Sequence, residues 1–343
     1  MLKWFEEVDQ TRPGIVSSQV RLMRNWSQYA FPSQLSDKEK QELLRRLEVG
    51  LENLGSVDGK NYVYRNWKDM NEVERKALEE RRVFQSAASA KKNPVIGLIL
   101  SQEEDTSIVL NDTEHIRLQI TSPGLHLEEL WERCDQMDDY INARFPYAFD
   151  KKYGYLTAYP TYTGTGLRAS AVVHLPTLSL GKKFNGLVAE MGRFGAAVRG
   201  VYGEDNYGSL YEVSNQKTLG VTEKEILDLV SRAAGQLLAQ ERQVRKATLE
   251  KRRLEYEDEV YKSYGVLKYA RRMSAKDAMI FLSQIMAGIT DGILETEGNW
   301  GVYRLMLGIQ PANLQMISQR PMEEGELEEV RAAYIRKELP KLR

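Results

Sequence analysis

The apolar residues of this 343-residue chain change their spacing at about Thr222, and that change limits what it can fold into. Before it, short apolar runs alternate or cluster between turn residues. VIGLILS (95–101), SIVLN (107–111) and HIRLQI (115–120) read as neighbouring antiparallel strands. YLTAYP (155–160), SAVVHLP (170–176), AAVRGVYG (196–203) and SLYEVSN (209–215) read as further strands. Helical spacing intervenes at 36–54, where Leu43, Leu44, Leu47 and Leu51 recur, at 70–84, at 127–145 with Leu127, Leu130, Met137 and Ile141, and at 183–194. The pattern is α+β with an antiparallel sheet flanked by helices; it lacks the strict βαβ alternation of a doubly wound fold. After Thr222 the period is helical throughout. Thr222 and Glu225 have capping-box spacing, and Ile226, Leu229, Val230, Ala233, Leu237 and Leu238 form one stripe. The helix runs on into a charged stretch, which places a domain boundary near 240–255. The two units expected are a mixed domain over 1–245 and a small all-helical domain over 255–343. Gly288, Gly292 and Gly298 mark packing points or breaks in the second, and 326–339 is its last helix.

With 42% hydrophobic and 28% charged residues and a formal net charge of −1, the composition is that of an ordinary globular protein, with no basic field for nucleic acid. A single cysteine, Cys134, excludes an internal disulfide and fits a reducing, cytoplasmic compartment. No signal peptide and no bilayer-length apolar run is visible. His115, His126 and His174 are too scattered for a metal cluster, so no metal site built from side chains is expected and each histidine reads as a hydrogen-bonding group.

The familiar ATP signatures are absent: there is no GxxxxGK[ST] loop, no GxGxxG after a strand and no HRD or DFG set. Arginines alone can hold a nucleotide, and five segments bear on this: SSQVRLMRN (17–25), NDTEHIRLQI (111–120), YLTAYPTYTGTGLRASAVVHLP (155–176), VRGVYGEDNYG (198–208) and YEVSNQKTLG (211–220). Singly each is weak, since a lone arginine is more often a surface ion pair and GTG more often a turn.

Together, in this order and spacing, they resemble the catalytic domain of the ATP:guanido phosphotransferases (phosphagen kinases) over nearly the whole chain. The resemblance is greatest to the bacterial protein arginine kinases, the branch that phosphorylates arginine side chains of proteins. The SSxxRLxRN segment comes near the start, without the separate N-terminal helical domain of metabolite kinases; the RGVYGE wording fits; and a helical C-terminal domain follows. The resemblance implies a curved antiparallel sheet flanked by helices, and ATP with Mg²⁺ riding on its phosphates. The phosphate-clamping arginines fall on Arg21, Arg117, Arg168 and Arg199, suited to the task because the guanidinium fork binds phosphate oxygens bidentately. The nucleotide site is expected to take in Ser17, Ser18, Gln19, Val20 and Arg21, then Arg82 and Arg117, then Arg168, Ala169, Ser170, Ala171 and Val172, then Arg199, Gly200, Val201, Tyr202, Gly203 and Glu204. The backbones of 168–172 and 199–204 would line it.

The acceptor side departs from the family pattern. A guanidinium is a poor nucleophile until carboxylates align it and take its proton. One such carboxylate matches Glu204. The other belongs to the family's NEEDHxR motif, which here runs from Asn111 to Arg117 and puts Thr113 in the catalytic position; with the segment read as a strand, Asp112 and Glu114 point to the opposite face. The family's CPTN reads Tyr159-Pro160-Thr161-Tyr162, so Tyr159 stands for the active-site cysteine and Tyr162 for the asparagine. Gln19 replaces one clamp arginine, and Arg82 falls where a histidine is usual. The phosphoarginine-binding RDxxRA motif of the helical domain survives only as Leu327, Glu328, Arg331 and Ala332. The family further implies arginine-containing protein clients, an activator protein, a Clp-type protease, control of a heat-shock repressor, and a homodimer; membrane and nucleic-acid partners are not expected. Three activities stay open on the sequence: a protein arginine kinase with a degraded acceptor site, a pseudokinase that binds nucleotide or protein, and, least favoured, a kinase of free guanidines.

Overall fold

The computed structural model describes residues 2–84, 95–297 and 301–343; Gly298, read above as a packing point or break, lies outside them. Its centre is an eight-stranded sheet in the order β2-β3-β4-β5-β1-β8-β10-β9. The strands are β1 (Ile15–Arg24), β2 (Tyr62–Asn66), β3 (Gly97–Ser101), β4 (Thr106–Leu110), β5 (Ile116–Pro123), β8 (Leu167–His174), β9 (Ala196–Gly200) and β10 (Leu210–Asn215). Every pairing is antiparallel. A two-stranded ribbon, β6 (Phe149–Asp150) and β7 (Gly154–Tyr155), stands apart from it.

One face of the sheet is apolar. Val20 and Leu22 of β1, Leu118 and Ile120 of β5, and Ala169 and Ala171 of β8 are buried there. They pack against α1 (Asp37–Gly50), α4 (Leu127–Asn142), α5 (Phe184–Arg193) and the first half of α6 (Glu223–Tyr269). The caps follow the sequence signals: Ser36 with Glu39 and Thr222 with Glu225 both form capping boxes. Two short helices complete this unit, α2 (Gly55–Asp58) and α3 (Glu72–Glu80). The helix expected over 70–84 is thus shorter at both ends, starting at an Asn71–Glu74 capping box. The run 155–160 is not a strand beyond Tyr155; Pro160 starts a 3-10 turn, Pro160–Tyr162, because proline cannot donate to a ladder.

The helix α6 is continuous across the region where the domain boundary is drawn, and a non-helical residue, Arg252 (φ −140°, ψ 40°), kinks it. Beyond the kink, its second half packs with α7 (Ala275–Thr290), α8 (Val302–Gly308), α9 (Pro311–Ser318) and α10 (Glu324–Glu338) around a second core. That core takes in Trp4, Val172 and Leu210. Val172 and Leu210 project from the face of the sheet opposite the first core, so the C-terminal helices seat on that face. At the sheet's other end, α3 covers Leu98 and Val109 on the same face with Trp67, Leu78 and Phe84. A polar strip of sheet runs between these two apolar patches.

Candidate active site

Strand register builds the strip. Ser107, Gln119, Arg21 and Arg168 lie side by side across β4, β5, β1 and β8. The next row is Thr121, Gln19, Ser170 and Ser214, and the one beyond holds Ser17, Val172, Glu212 and Arg199. Arg117 stands one row to the other side, opposite Met23. The alternation that buries Val20 and Ala169 in the first core thus delivers Arg21 and Arg168 to the strip.

Arg21 and Arg168 are oriented by neutral groups. Gln119 Oε1 accepts from Arg21 Nε at 3.1 Å and Nη2 at 2.9 Å, and Gln19 Oε1 accepts from the same Nη2 at 2.8 Å. Gln19 Nε2 in turn donates to Thr121 Oγ1 at 3.0 Å. Arg168 Nη2 donates to Ser214 Oγ at 2.9 Å. Burial, then the nearby Arg117, Arg82 and Arg168, push the Arg21 pKa well below its usual value. Arg117 is lowered by burial against the pull of Asp112 and Tyr162, and its Nη2 is buried with no hydrogen-bond partner among the described residues. Arg168 is lowered by burial and by Arg199, with Tyr162 opposing. Positive charge gathered in a partly dry place is unfavourable unless an anion joins it.

Arg82 follows α3 in a left-handed conformation (φ 62°), donates its guanidinium to the Glu212 carboxylate, and accepts from Gln119 Nε2 on its carbonyl at 2.9 Å. A cleft of about 310 Å³ lies between Arg82, Phe84, Arg199, Gly200 and Glu212.

Several expected site residues lie elsewhere. Ser18, Val20, Ala169 and Ala171 point to the opposite face, where Ser18 Oγ accepts from the His126 amide at 3.0 Å. The 168–172 backbone cannot line the site with its polar groups, because β8 is a central strand bonded to β1 and β10. Tyr202 turns into the second core. Glu204 lies on the short turn Gly203–Asp205, and its side chain falls outside what the structure describes. Gly164 and Gly166, the glycines of the GTG turn, are required by packing: both have positive φ, and a Cβ would come within 2.2 Å of the Thr218 carbonyl oxygen and 2.7 Å of the Met23 carbonyl oxygen respectively.

The segment 111–115 is a turn rather than a strand, closed by the Asn111 amide on the His115 carbonyl at 2.8 Å with Asn111 at φ 58°. Side chains therefore do not alternate between faces there. Asp112 faces the arginines, 3.5 Å from Arg117 Nη1. Glu114, 1% exposed, accepts from Asn25 Nδ2 at 2.6 Å and from the amides of Ala158 and Tyr159 at 2.8 and 3.3 Å. It fixes the loop that carries Tyr159 and Tyr162. Tyr159 is 53% exposed and its ring meets that of Tyr162 edge-on at 6.5 Å. Thr113 is half-buried. Behind the loop, Arg24 is buried on Asp138 at 2.8 Å and stacks 3.6 Å from the Tyr155 ring. The sequence pattern does not single out Gln119 or Glu212, and it assigns Glu114 to the wrong face. Gln119 was readable, since it lies two residues from Arg117 on one strand.

In the helical domain, Leu327 and Ala332 are buried, and Glu328 pairs with Arg272 at 3.0 Å. Arg331 donates Nε to the Ile309 carbonyl and Nη1 to the Met273 carbonyl, each at 3.0 Å. The guanidinium that survives from the expected phosphoarginine motif thus ties α10 to the end of α8 and to the turn before α7.

Two family models match the chain. One describes the ATP:guanido phosphotransferase C-terminal catalytic domain and covers residues 45–244; the other describes the protein-arginine kinase McsB C-terminal domain and covers 253–343. This chain belongs to the protein-arginine kinase family. It is 36% identical to the protein-arginine kinase of Halothermothrix orenii over 338 residues, 98% of this chain and 96% of that one. The protein-arginine kinase of Bacillus subtilis is 34% identical over 98% of this chain and 93% of its own length. Among solved structures, lombricine kinase matches with a TM-score of 0.59 at 22% identity, over 72% of this chain and 70% of that one. A duplicated taurocyamine kinase from Schistosoma mansoni with bound transition-state analogue components matches with a TM-score of 0.59 at 21% identity, over 77% of this chain and 38% of that one. At these identities the two structures speak for the fold: the protein-arginine kinase sheet and its flanking helices are those of guanidino kinases.

Proposed function

We propose that this family member binds MgATP on the arginine strip and transfers the γ-phosphate to arginine side chains of proteins. The observation that carries the reading is the strip itself, with Arg21, Arg117, Arg168 and Arg199 brought to one face by register and Arg117 Nη2 left without a hydrogen-bond partner among the described residues. Such an array neutralises the oxygens of a transferring phosphoryl group. Bound Mg²⁺ would supply further neutralisation. Among the described residues no three His, Cys, Asp or Glu side chains gather to hold a metal, so the phosphates would be its ligands.

On the acceptor side, Glu114 holds the 158–159 backbone and the two phenols stand where a guanidinium would arrive. Thr113 supplies no base, and loss of a positioned base costs on the order of 10²–10⁴ in rate. We therefore expect slow transfer, assisted by Glu204. A second reading, a nucleotide-binding pseudokinase, is favoured by Tyr159 and Tyr162, whose rings meet edge-on at 6.5 Å on the acceptor loop while the arginine strip stays intact. The exposed Leu254, Tyr261 and Tyr269 on the second half of α6 support a homodimer through the helical domain. An activator protein, a Clp-type protease and a heat-shock repressor are further partners this reading implies.

The deciding experiment incubates the protein with MgATP and an unfolded protein substrate, and looks for acid-labile phosphoarginine. Wild type is compared with Thr113→Glu, Tyr159→Cys and Gln19→Arg combined. Phosphoarginine from wild type, increased in the combined variant, supports the kinase; product from the combined variant alone supports the pseudokinase.

A further inference from the structure

We infer that Glu80 and Asn313 are positioning residues for nucleotide binding that act through Arg82, an inference resting on the arginine strip being the nucleotide site. Arg82 is an unusual residue to find on such a strip. It belongs to no strand, and it reaches the strip only because the chain leaving α3 takes a left-handed step at φ 62°. Side-chain-bearing residues adopt that conformation seldom, so neighbouring contacts must over-determine it.

Those contacts come from two sides. On the sheet side, Gln119 Nε2 donates to the Arg82 carbonyl at 2.9 Å, and Gln119 also holds Arg21. The other side is the C-terminal domain. The Glu80 carboxylate accepts from the amides of Ala312 and Asn313, each at 2.9 Å, and from Asn313 Nδ2 at 2.8 Å. Asn313 Oδ1 returns a bond by accepting from Arg81 Nη1 at 3.0 Å. Arg81 is pinned further by Glu104 at 2.8 Å. The first turn of α9 thus grips Glu80 and Arg81, and the next residue is Arg82, whose guanidinium lies on Glu212 above the cleft shared with Arg199.

A half-buried carboxylate receiving three donors is a strong tether between the two units. Loosening it frees the residue that precedes Arg82's left-handed step. The guanidinium then spends less time where a nucleotide would meet it, and affinity falls although no ligand contact has been removed.

The test uses the full chain and calorimetric titration with MgATP. Glu80→Gln and Asn313→Ala are each expected to weaken binding roughly five- to tenfold, the upper range for one ordinary hydrogen bond, because the loss is transmitted through Arg82 and not taken from the ligand directly. Asn313→Ala leaves the α9 amides on Glu80, so it serves if Glu80→Gln compromises folding. In an Arg82→Ala background, Asn313→Ala should change the affinity no further; a merely structural role would weaken binding equally in both backgrounds. Equal weakening in both, or none in the otherwise wild-type chain, overturns the inference and leaves the nucleotide site standing. A wild-type chain that binds no MgATP overturns both.

Discussion

Arg21 and Arg168 stand directly opposite each other on neighbouring antiparallel strands, with both side chains on one face of the sheet. Like charges in register destabilise a ladder, and Arg21 is only 3% exposed. Gln19, Gln119 and Ser214, all neutral, accept from the pair. The protein thus holds charge in an arrangement that an anion with several oxygens would relieve.

Gln19 is the clearest place to measure that balance. An arginine there sets another charge beside Arg21 in a buried row, and Gln19→Arg should lower stability without ligand by about 1–3 kcal/mol. Nucleotide should narrow the gap because the added charge tightens binding: a ligand at 100 times its Kd adds about 2.7 kcal/mol, and a lower Kd adds more to the variant than to wild type. Urea unfolding with and without MgATP should show a deficit that narrows on saturation, and a deficit unchanged by MgATP would mean that position 19 does not face the phosphates.

Glu114 is legible as a carboxylate near the acceptor site, but its contacts make it a loop anchor. Burial raises its pKa while the Ala158 amide, Asn25 and the Tyr159 amide pull the other way. Glu114→Ala leaves those donors without their acceptor, at a cost of about 2–4 kcal/mol. The amides of Ala158 and Tyr159 should then exchange with deuterium faster than those of β8; unchanged exchange would contradict the anchoring.

Two buried histidines give the fold a defined acid sensitivity. Trp26 donates its amide to His115 Nδ1 at 3.0 Å, so the His115 proton is on Nε2, donated to the Ala30 carbonyl at 2.9 Å. Burial pushes His115 down to about 4 and His174, bonded to Ser283 at 2.7 Å, down to about 3. Both are neutral when folded and take up a proton when unfolded below about pH 6.5. Their contribution is complete above that pH and is lost as pH falls through it towards 4. The urea midpoint should fall between pH 7.5 and pH 5, and by less in His174→Gln; equal falls would clear His174 of the effect.

The strands at 97–101, 106–110 and 116–123 are legible because β-branched and apolar residues cluster there between polar turns. β1 does not stand out as a strand in the sequence, although its arginine does. Its alternation of Ser17, Gln19 and Arg21 with Ser18, Val20 and Leu22 is that of a strand whose one face is a site, which dilutes the apolar signal. The turn at 111–115 was read as strand because nothing local shows that Asn111 takes a positive φ. The bonds from α9 to Glu80 join residues more than 230 positions apart, and no local pattern announces them.

The most direct test of the account is a calorimetric MgATP titration of wild type beside Arg168→Ala. Arg168 is half-buried on the strip, and removing one charge-assisted phosphate contact should weaken binding by about 1.5–3 kcal/mol, roughly ten- to a hundredfold. One MgATP should bind per chain in wild type, with that loss in the variant. Equal affinities, or no binding by wild type, would contradict it.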